Sequence, residues 1–161
     1  MAITHRFNAS VDEMFELMTD PQSIVDRGEA LGEKDIECEV EDIGRKTYVR
    51  SKRTLKRDLP KVLAAMFSSE NTIVFDEQWE RVGDHFIGSY TADVQGQPVK
   101  LTAKFSLKPH ADGSEYAIEY KCKAGIPLVA KKVEEFIVSQ TETGLAAEVQ
   151  WLQQQLMGAR A

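Results

Sequence analysis

Ile126–Met157 reads IPLVAKKVEEFIVSQTETGLAAEVQWLQQQLM. Apolar residues recur there at Val129, Val133, Phe136, Ile137, Leu145, Val149, Leu152 and Leu156, with Gly144 in the same series. That is the spacing of a helix with one buried face. Pro127 falls in the first turn, where a proline's missing N–H removes no hydrogen bond. At ~1.5 Å per residue the helix runs on the order of 45 Å. A helix of that length needs a broad apolar surface to lie on, and the chain before it supplies strands.

Immediately upstream, Tyr116, Ile118, Tyr120 and Cys122 share one face of a strand that Gly125 ends. Asp112-Gly113 reads as the hairpin turn before it. Val99, Leu101, Ala103, Phe105 and Leu107 alternate with Lys100, Thr102, Lys104, Ser106 and Lys108, the pattern of a half-buried strand. Gln95-Gly96-Gln97 and Gly83-Asp84 mark further turns. Between them Phe86, Tyr90, Ala92 and Val94 point one way along His85–Val94. Ile73, Phe75, Glu77 and Trp79 do the same along Asn71–Arg81.

Further back, Ile36, Cys38 and Val40 alternate with Glu37, Glu39 and Glu41. The acidic positions read as a solvated sheet face. The basic stretch Lys46–Arg57 pairs with that face as a neighbouring strand of opposite charge. Leu59, Val62, Leu63, Met66 and Phe67 change period and read as a short amphipathic helix or helical loop, either core or a lid (Leu63, Met66, Phe67) over a mouth. At the start, Ile3, His5 and Phe7 suggest a first strand. Ser10 and Glu13 have the capping-box spacing for a helix over Val11–Met18. Asp20-Pro21 breaks that helix, and a second runs from Pro21 to Leu31.

The totals fit one soluble domain with a real core. Apolar residues make up 42% and charged residues 29%, which argues against disorder. The net charge of −6, from 26 acidic and 20 basic residues, disfavours nucleic acid as a partner. No run reaches the ~20 apolar residues of a membrane span. The N-terminus lacks the apolar core of a signal peptide, so a cytoplasmic location is the expectation. Cys38 and Cys122 lack CxxC spacing and read as free, buried thiols.

Strands joined by tight turns are antiparallel neighbours. The expected architecture is therefore α+β. A curved sheet of six to seven antiparallel strands wraps a long C-terminal helix, with two short helices after the first strand. A straight helix cannot touch a curved sheet everywhere, so a cavity is expected between them.

The element order resembles the START-like (SRPBCC) helix-grip superfamily. Its members include lipid-transfer domains, polyketide cyclases and dehydratases, and ubiquinone-binding proteins. The resemblance is nearer to a bacterial branch of that superfamily, a domain of unknown function. It rests on Thr4-His5-Arg6-Phe7 with Val11–Phe15, on Glu77-Gln78-Trp79, and on the junction Gly125–Glu134. That junction is similar to a Pro-Leu-Val-Gly-Gly-Lys-Ile-Glu type, with Ala130 and Lys131 standing for the two glycines. The resemblance implies the fold; it does not imply one chemistry.

No GxGxxG, P-loop, HExxH or nucleophile elbow is present. His5, His85 and His110 share no ligand spacing, so neither metal nor cofactor is expected. Glu77, in phase with Ile73, Phe75 and Trp79, is the most informative polar position. A carboxylate on an inward face is costly unless paired. It reads as a ligand anchor or acid/base group. The simpler alternative turns Val74 and Gln78 inward, or places Glu77 at a rim beside a Lys or Arg.

Three readings remain open. The first is a non-catalytic binder of a small apolar or amphipathic molecule such as a lipid, isoprenoid or polyketide. Its contacts come from Tyr48, Phe75, Glu77, Trp79, Tyr90, Leu101, Phe105 and Tyr120 on strands, and from Val133, Phe136, Ile137, Gln140 and Gly144 on the helix. The second is a cyclase- or dehydratase-type enzyme using Glu77, His85 and Tyr90. The third is a protein-interaction module with a collapsed cavity.

Overall fold

The computed structural model describes residues 2–65 and 67–160. Met66 of the expected lid lies outside the described residues. In chain order the elements are β1 (Ala2–Phe7), α1 (Val11–Thr19), α2 (Pro21–Ala30), β2 (Lys34–Ile43), β3 (Lys46–Lys56), α3 (Lys61–Ala64), β4 (Glu70–Val82), β5 (His85–Val94), β6 (Val99–His110), β7 (Gly113–Ala124) and α4 (Ala130–Arg160). The strands form an open seven-stranded antiparallel sheet in the order β1-β7-β6-β5-β4-β3-β2, with α4 against one face. This is a helix-grip type of α+β fold, as the alternation of the strands and the period of the last helix predict.

Local chemistry sets the element ends. Ser10 Oγ accepts from the backbone N–H of Glu13 at 3.1 Å, and Glu13 Oε1 accepts from Ser10 N–H at 3.3 Å, completing the capping box. Asp20 closes α1 and opens α2, its carboxylate accepting from Ser23 N–H at 2.9 Å. The acidic and basic strands pair as expected, with Glu37 opposite Lys52 and Glu39 opposite Arg50.

Three boundaries differ from the sequence expectation. The helical segment expected over Leu59–Phe67 is helical, among its described residues, only over Lys61–Ala64. Pro127 precedes α4 and is not its first turn. Leu128 sits at φ 70, in the left-handed region no helical turn accepts, and the helix begins at Ala130. The β6–β7 turn is Ala111-Asp112, since Gly113 already pairs with His110 in the ladder. Gly113 is needed for proximity instead, because a Cβ there would lie 2.0 Å from the carbonyl oxygen of Phe7.

The inner face of the sheet is filled at one end and hollow at the other. At the filled end Trp79, Gly88, Phe105 and Ile118 lie in one row across four strands. Gly88 has no side chain to block Phe105, whose ring reaches Trp79 with centroids 4.6 Å apart. Phe15 of α1 stacks on Phe86 at 4.0 Å and meets Trp79 edge-on at 5.4 Å. Leu145, Val149 and Leu152 of α4 close this core, together with Met14. At the other end lie α2, α3 and the first half of α4, and the rings give way to open space.

Candidate functional site

The sheet rows that flank the hollow end carry its chemistry. Glu77 on β4 lies directly opposite Tyr90 on β5, and Phe75 lies opposite Ala92 and next to Ser51 of β3. Positions directly opposed on one face of an antiparallel pair are ~5 Å apart at Cβ. Odd-numbered residues of β3 point inward: Thr47, Val49, Ser51 and Arg53 are all buried. From α4, Ile137, Gln140, Thr141, Gly144, Leu145 and Glu148 face this row. Between them is a cavity of about 140 Å³. An adjoining apolar lobe of about 40 Å³ runs beneath α3, lined by Leu59, Leu63, Phe67, Val133 and Phe136 among others. A Cβ built on Gly144 would meet no atom within 4 Å, so this glycine leaves the space open rather than allowing close packing.

The cavity has one charged wall, formed by Arg27, Glu33, Arg53, Arg57, Glu77 and Glu148. Arg53 is its centre. Its side chain is only 7% exposed. Nη1 donates to Glu33 Oε1 at 3.2 Å, Nη2 donates to Ser51 Oγ at 3.2 Å, and the guanidinium lies 4.2 Å from the Phe75 ring centroid. These contacts fix the plane of the group. The Nε atoms of Arg53 and Arg27 are buried without a hydrogen-bond partner.

Glu77 points inward, in phase with Trp79, and not toward the outer face. Its Oε2 accepts from Trp79 Nε1 at 2.9 Å. Burial pushes its carboxyl above the usual carboxylate range, opposed by the Trp79 hydrogen bond and by Arg27 and Arg53. Burial raises Glu33 as well, with Arg53 opposing. The Tyr90 and Tyr116 hydroxyls are likewise held neutral by burial.

A raised folded-state value means that the native protein favours protonated Glu77. Its contribution is then fully present below the unfolded carboxyl pKa and is lost as pH rises through the folded one. Glu77→Gln, which stays neutral, removes this loss. We expect the variant to be more stable than the parent at pH 8, with the gap closing at acid pH. Urea titrations across pH measure this; an unchanged gap contradicts it.

Of the residues that the sequence analysis named, Phe75, Glu77, Trp79, Tyr90, Leu101, Ile137, Gln140 and Gly144 line the main cavity. Leu63, Phe67, Val133 and Phe136 line the lobe. Four expectations are corrected. Tyr48 is even-numbered on β3, so it stands on the outer face, 37% exposed. His85 sits beyond the cavity at the β4–β5 turn, with Nδ1 3.1 Å from the Asp84 carboxylate. Phe105 is held in the filled core between Trp79 and Tyr116 and reaches no open space. Tyr120 lies at the far end of the Glu77–Tyr90–Ala103 row, buried beside Glu142 of α4.

The residues that the sequence analysis missed are the charged ones: Arg27, Glu33, Arg53, Arg57 and Glu148. Both cysteines are free and half-buried, and burial pushes the Cys122 thiol up to about 11, so neither is a ready thiolate. Among the described residues no group of three or more His, Cys, Asp or Glu side chains is placed to hold a metal ion. No helix among them is long and apolar enough to cross a membrane.

Residues 2–156 match the family described as protein of unknown function (DUF2505). The chain belongs to that family. No curated protein matches this DUF2505 chain in sequence. Its fold is similar to that of solved structures at low identity. TTHA0849 from Thermus thermophilus aligns with a TM-score of 0.68 at 10% identity, over 100% of this chain and 99% of that one. An uncharacterised protein from Rhizobium leguminosarum aligns with a TM-score of 0.56 at 10% identity, over 96% and 93% of the two chains. A conserved protein from Geobacillus kaustophilus gives 0.56 at 12% identity, over 98% and 95%. At these identities the likeness speaks to fold alone.

Proposed function

We propose that this DUF2505 protein binds a small apolar or amphipathic molecule between its sheet and α4, in the manner of the START-like helix-grip superfamily. The observation that carries the reading is the hollow itself. An interior packed throughout leaves few voids larger than a water molecule, yet here a cavity of about 140 Å³ sits beneath the helix beside a fully packed aromatic core. The same lining joins aromatic and aliphatic side chains to a few convergent polar groups, the composition of a small-molecule site.

Gly144 offers a direct test. In Gly144→Leu the new side chain enters open space, and replacing glycine within a helix favours folding by up to about 1 kcal/mol. The expected result is a protein of equal or higher Tm that no longer takes up small apolar molecules which the parent binds. Equal uptake by parent and variant would place the ligand elsewhere.

A second reading follows from Glu77 opposite Tyr90. A carboxyl held toward its neutral form beside a phenol is a pair able to move a proton to and from a bound molecule. An enzyme of the cyclase or dehydratase kind would use those two residues without His85. Under this reading Glu77→Gln abolishes turnover and leaves binding intact. The interaction-module reading needed a collapsed interior, and the hollow counts against it.

A further inference from the structure

The polar wall holds buried donors that its own acceptors do not satisfy, and this bears on what the cavity holds. Arg27, Arg53 and Arg57 line it together with Glu33, Glu77 and Glu148. Glu33 is already committed, 3.2 Å from Arg53 Nη1. Glu77 gives one oxygen to Trp79 and is held by burial toward its neutral form. The side chains of Arg27 and Arg57 make no hydrogen bond or ion pair to the described residues, and burial disfavours the Arg57 cation, with the Glu33 carboxylate opposing. An arginine in a protein does not shed its proton, so its demand for an acceptor persists. Three guanidinium groups therefore line this wall, and the Nε–H donors of Arg27 and Arg53 are buried with no acceptor among the described residues.

Resting on the ligand-binding reading above, we infer that the occupant carries a carboxylate, held at the Arg27–Arg53–Arg57 wall with its apolar body directed along the cavity into the lobe beneath α3. A carboxylate supplies the acceptor that the buried Nε–H groups of Arg27 and Arg53 lack, and Arg57 stands beside it with no ion pair of its own among the described residues. Guanidinium groups match carboxylates in geometry, donating paired hydrogen bonds. A protonated Glu77 can add its own O–H to the ligand while its other oxygen still accepts from Trp79. The body is small. A dry cavity of ~150 Å³ takes a guest the size of benzene, and the lobe, lined by Leu59, Leu63, Phe67, Val133 and Phe136, adds room for a short chain. A single-ring or medium-chain acid therefore fits, and a two-chain lipid does not.

The test compares one body with three head groups. Octanoate, octan-1-ol and octylamine, and likewise phenylacetate, 2-phenylethanol and 2-phenylethylamine, are titrated calorimetrically into protein freed of co-purified ligand, at pH 7. The expected result is that the acid of at least one set binds about ten- to a hundredfold tighter than its alcohol or amine. Arg57→Gln and Arg27→Gln bring that acid-over-alcohol ratio toward one, and Arg57→Lys retains part of it. Circular dichroism and Tm check that each variant is folded. Acid and alcohol binding equally well overturns the head-group assignment and leaves the cavity reading standing. An amine that binds tightest overturns it in favour of Glu77 and Glu148. If no body binds with any head group, both the assignment and the cavity reading fall.

Discussion

Trp79→Ala is expected to lower stability by about 3–5 kcal/mol, the range for truncating a large buried aromatic residue. Trp79 is 1% exposed and touches Phe15, Phe86 and Phe105, so its loss opens the filled end of the core. The effect reaches the charged wall as well. Trp79 Nε1–H is the donor that holds Glu77 Oε2, and that bond opposes the upward push of burial on the carboxyl. Trp79→Phe keeps most of the packing but removes the donor. It should cost less, and it should move Glu77 further upward, steepening the loss of stability as pH rises. Urea denaturation followed by circular dichroism separates the two variants. If Trp79→Ala costs under about 1 kcal/mol, the aromatic row does not anchor the fold.

Arg53→Ala is the second large effect, also about 3–5 kcal/mol, as for breaking a buried ion pair from one side. The reason is what remains. Glu33 keeps a nearly buried carboxylate without its guanidinium, and Ser51 and Phe75 lose the group packed on them. The orphaned Glu33 escapes the penalty by taking up a proton. Its folded-state value is raised further, so the variant recovers stability below the unfolded carboxyl pKa and loses it as pH climbs. Replacing the partner too, as in Arg53→Met with Glu33→Leu, should restore much of the loss, because the pair then no longer needs desolvating. A double variant no better than Arg53→Ala would mean that Ser51 and Phe75, not Glu33, set the cost.

The fold was legible because its determinants are periodic. The 3.6-residue recurrence through Val133, Ile137, Leu145 and Val149 needs no tertiary knowledge. Neither does the alternation through Leu101, Ala103, Phe105 and Leu107. The Ser10–Glu13 spacing and the Gly83-Asp84 turn are equally local. The phase of Glu77 with Trp79 offered the inward carboxyl as one of two readings, the simpler being Val74 and Gln78 inward or Glu77 at a rim.

The charged wall was not, and β3 shows why. In Lys46–Lys56 both faces carry charge and the apolar residues are few, so hydropathy offers no contrast between faces. Parity held the signal. Arg50 and Lys52 share a face with Tyr48, opposite the acidic positions of β2, whereas Arg53 shares a face with Val49. Glu148 could be found in the same way, one helical turn after Gly144 and two after Gln140, on a polar ridge beside the apolar one. Arg27 and Glu33 gave no comparable signal. Glu33 meets Arg53, and Arg27 joins the same cavity wall, because α2 packs on β2, where a Cβ at Gly28 would come within 2.5 Å of Ile36 and 2.8 Å of Glu33. His85 misled because its type suggested chemistry while its place, just after a turn glycine, put it at the end of the sheet.

The small amphipathic molecule proposed for the space beneath α4 is to be sought by native mass spectrometry of the protein purified from its own host, followed by organic extraction of the same sample. The expected result is a bound species of low mass, released on extraction and absent from Gly144→Leu prepared alongside. A parent protein that flies consistently empty, and stays empty after exposure to a library of lipids and small organic acids, would contradict it.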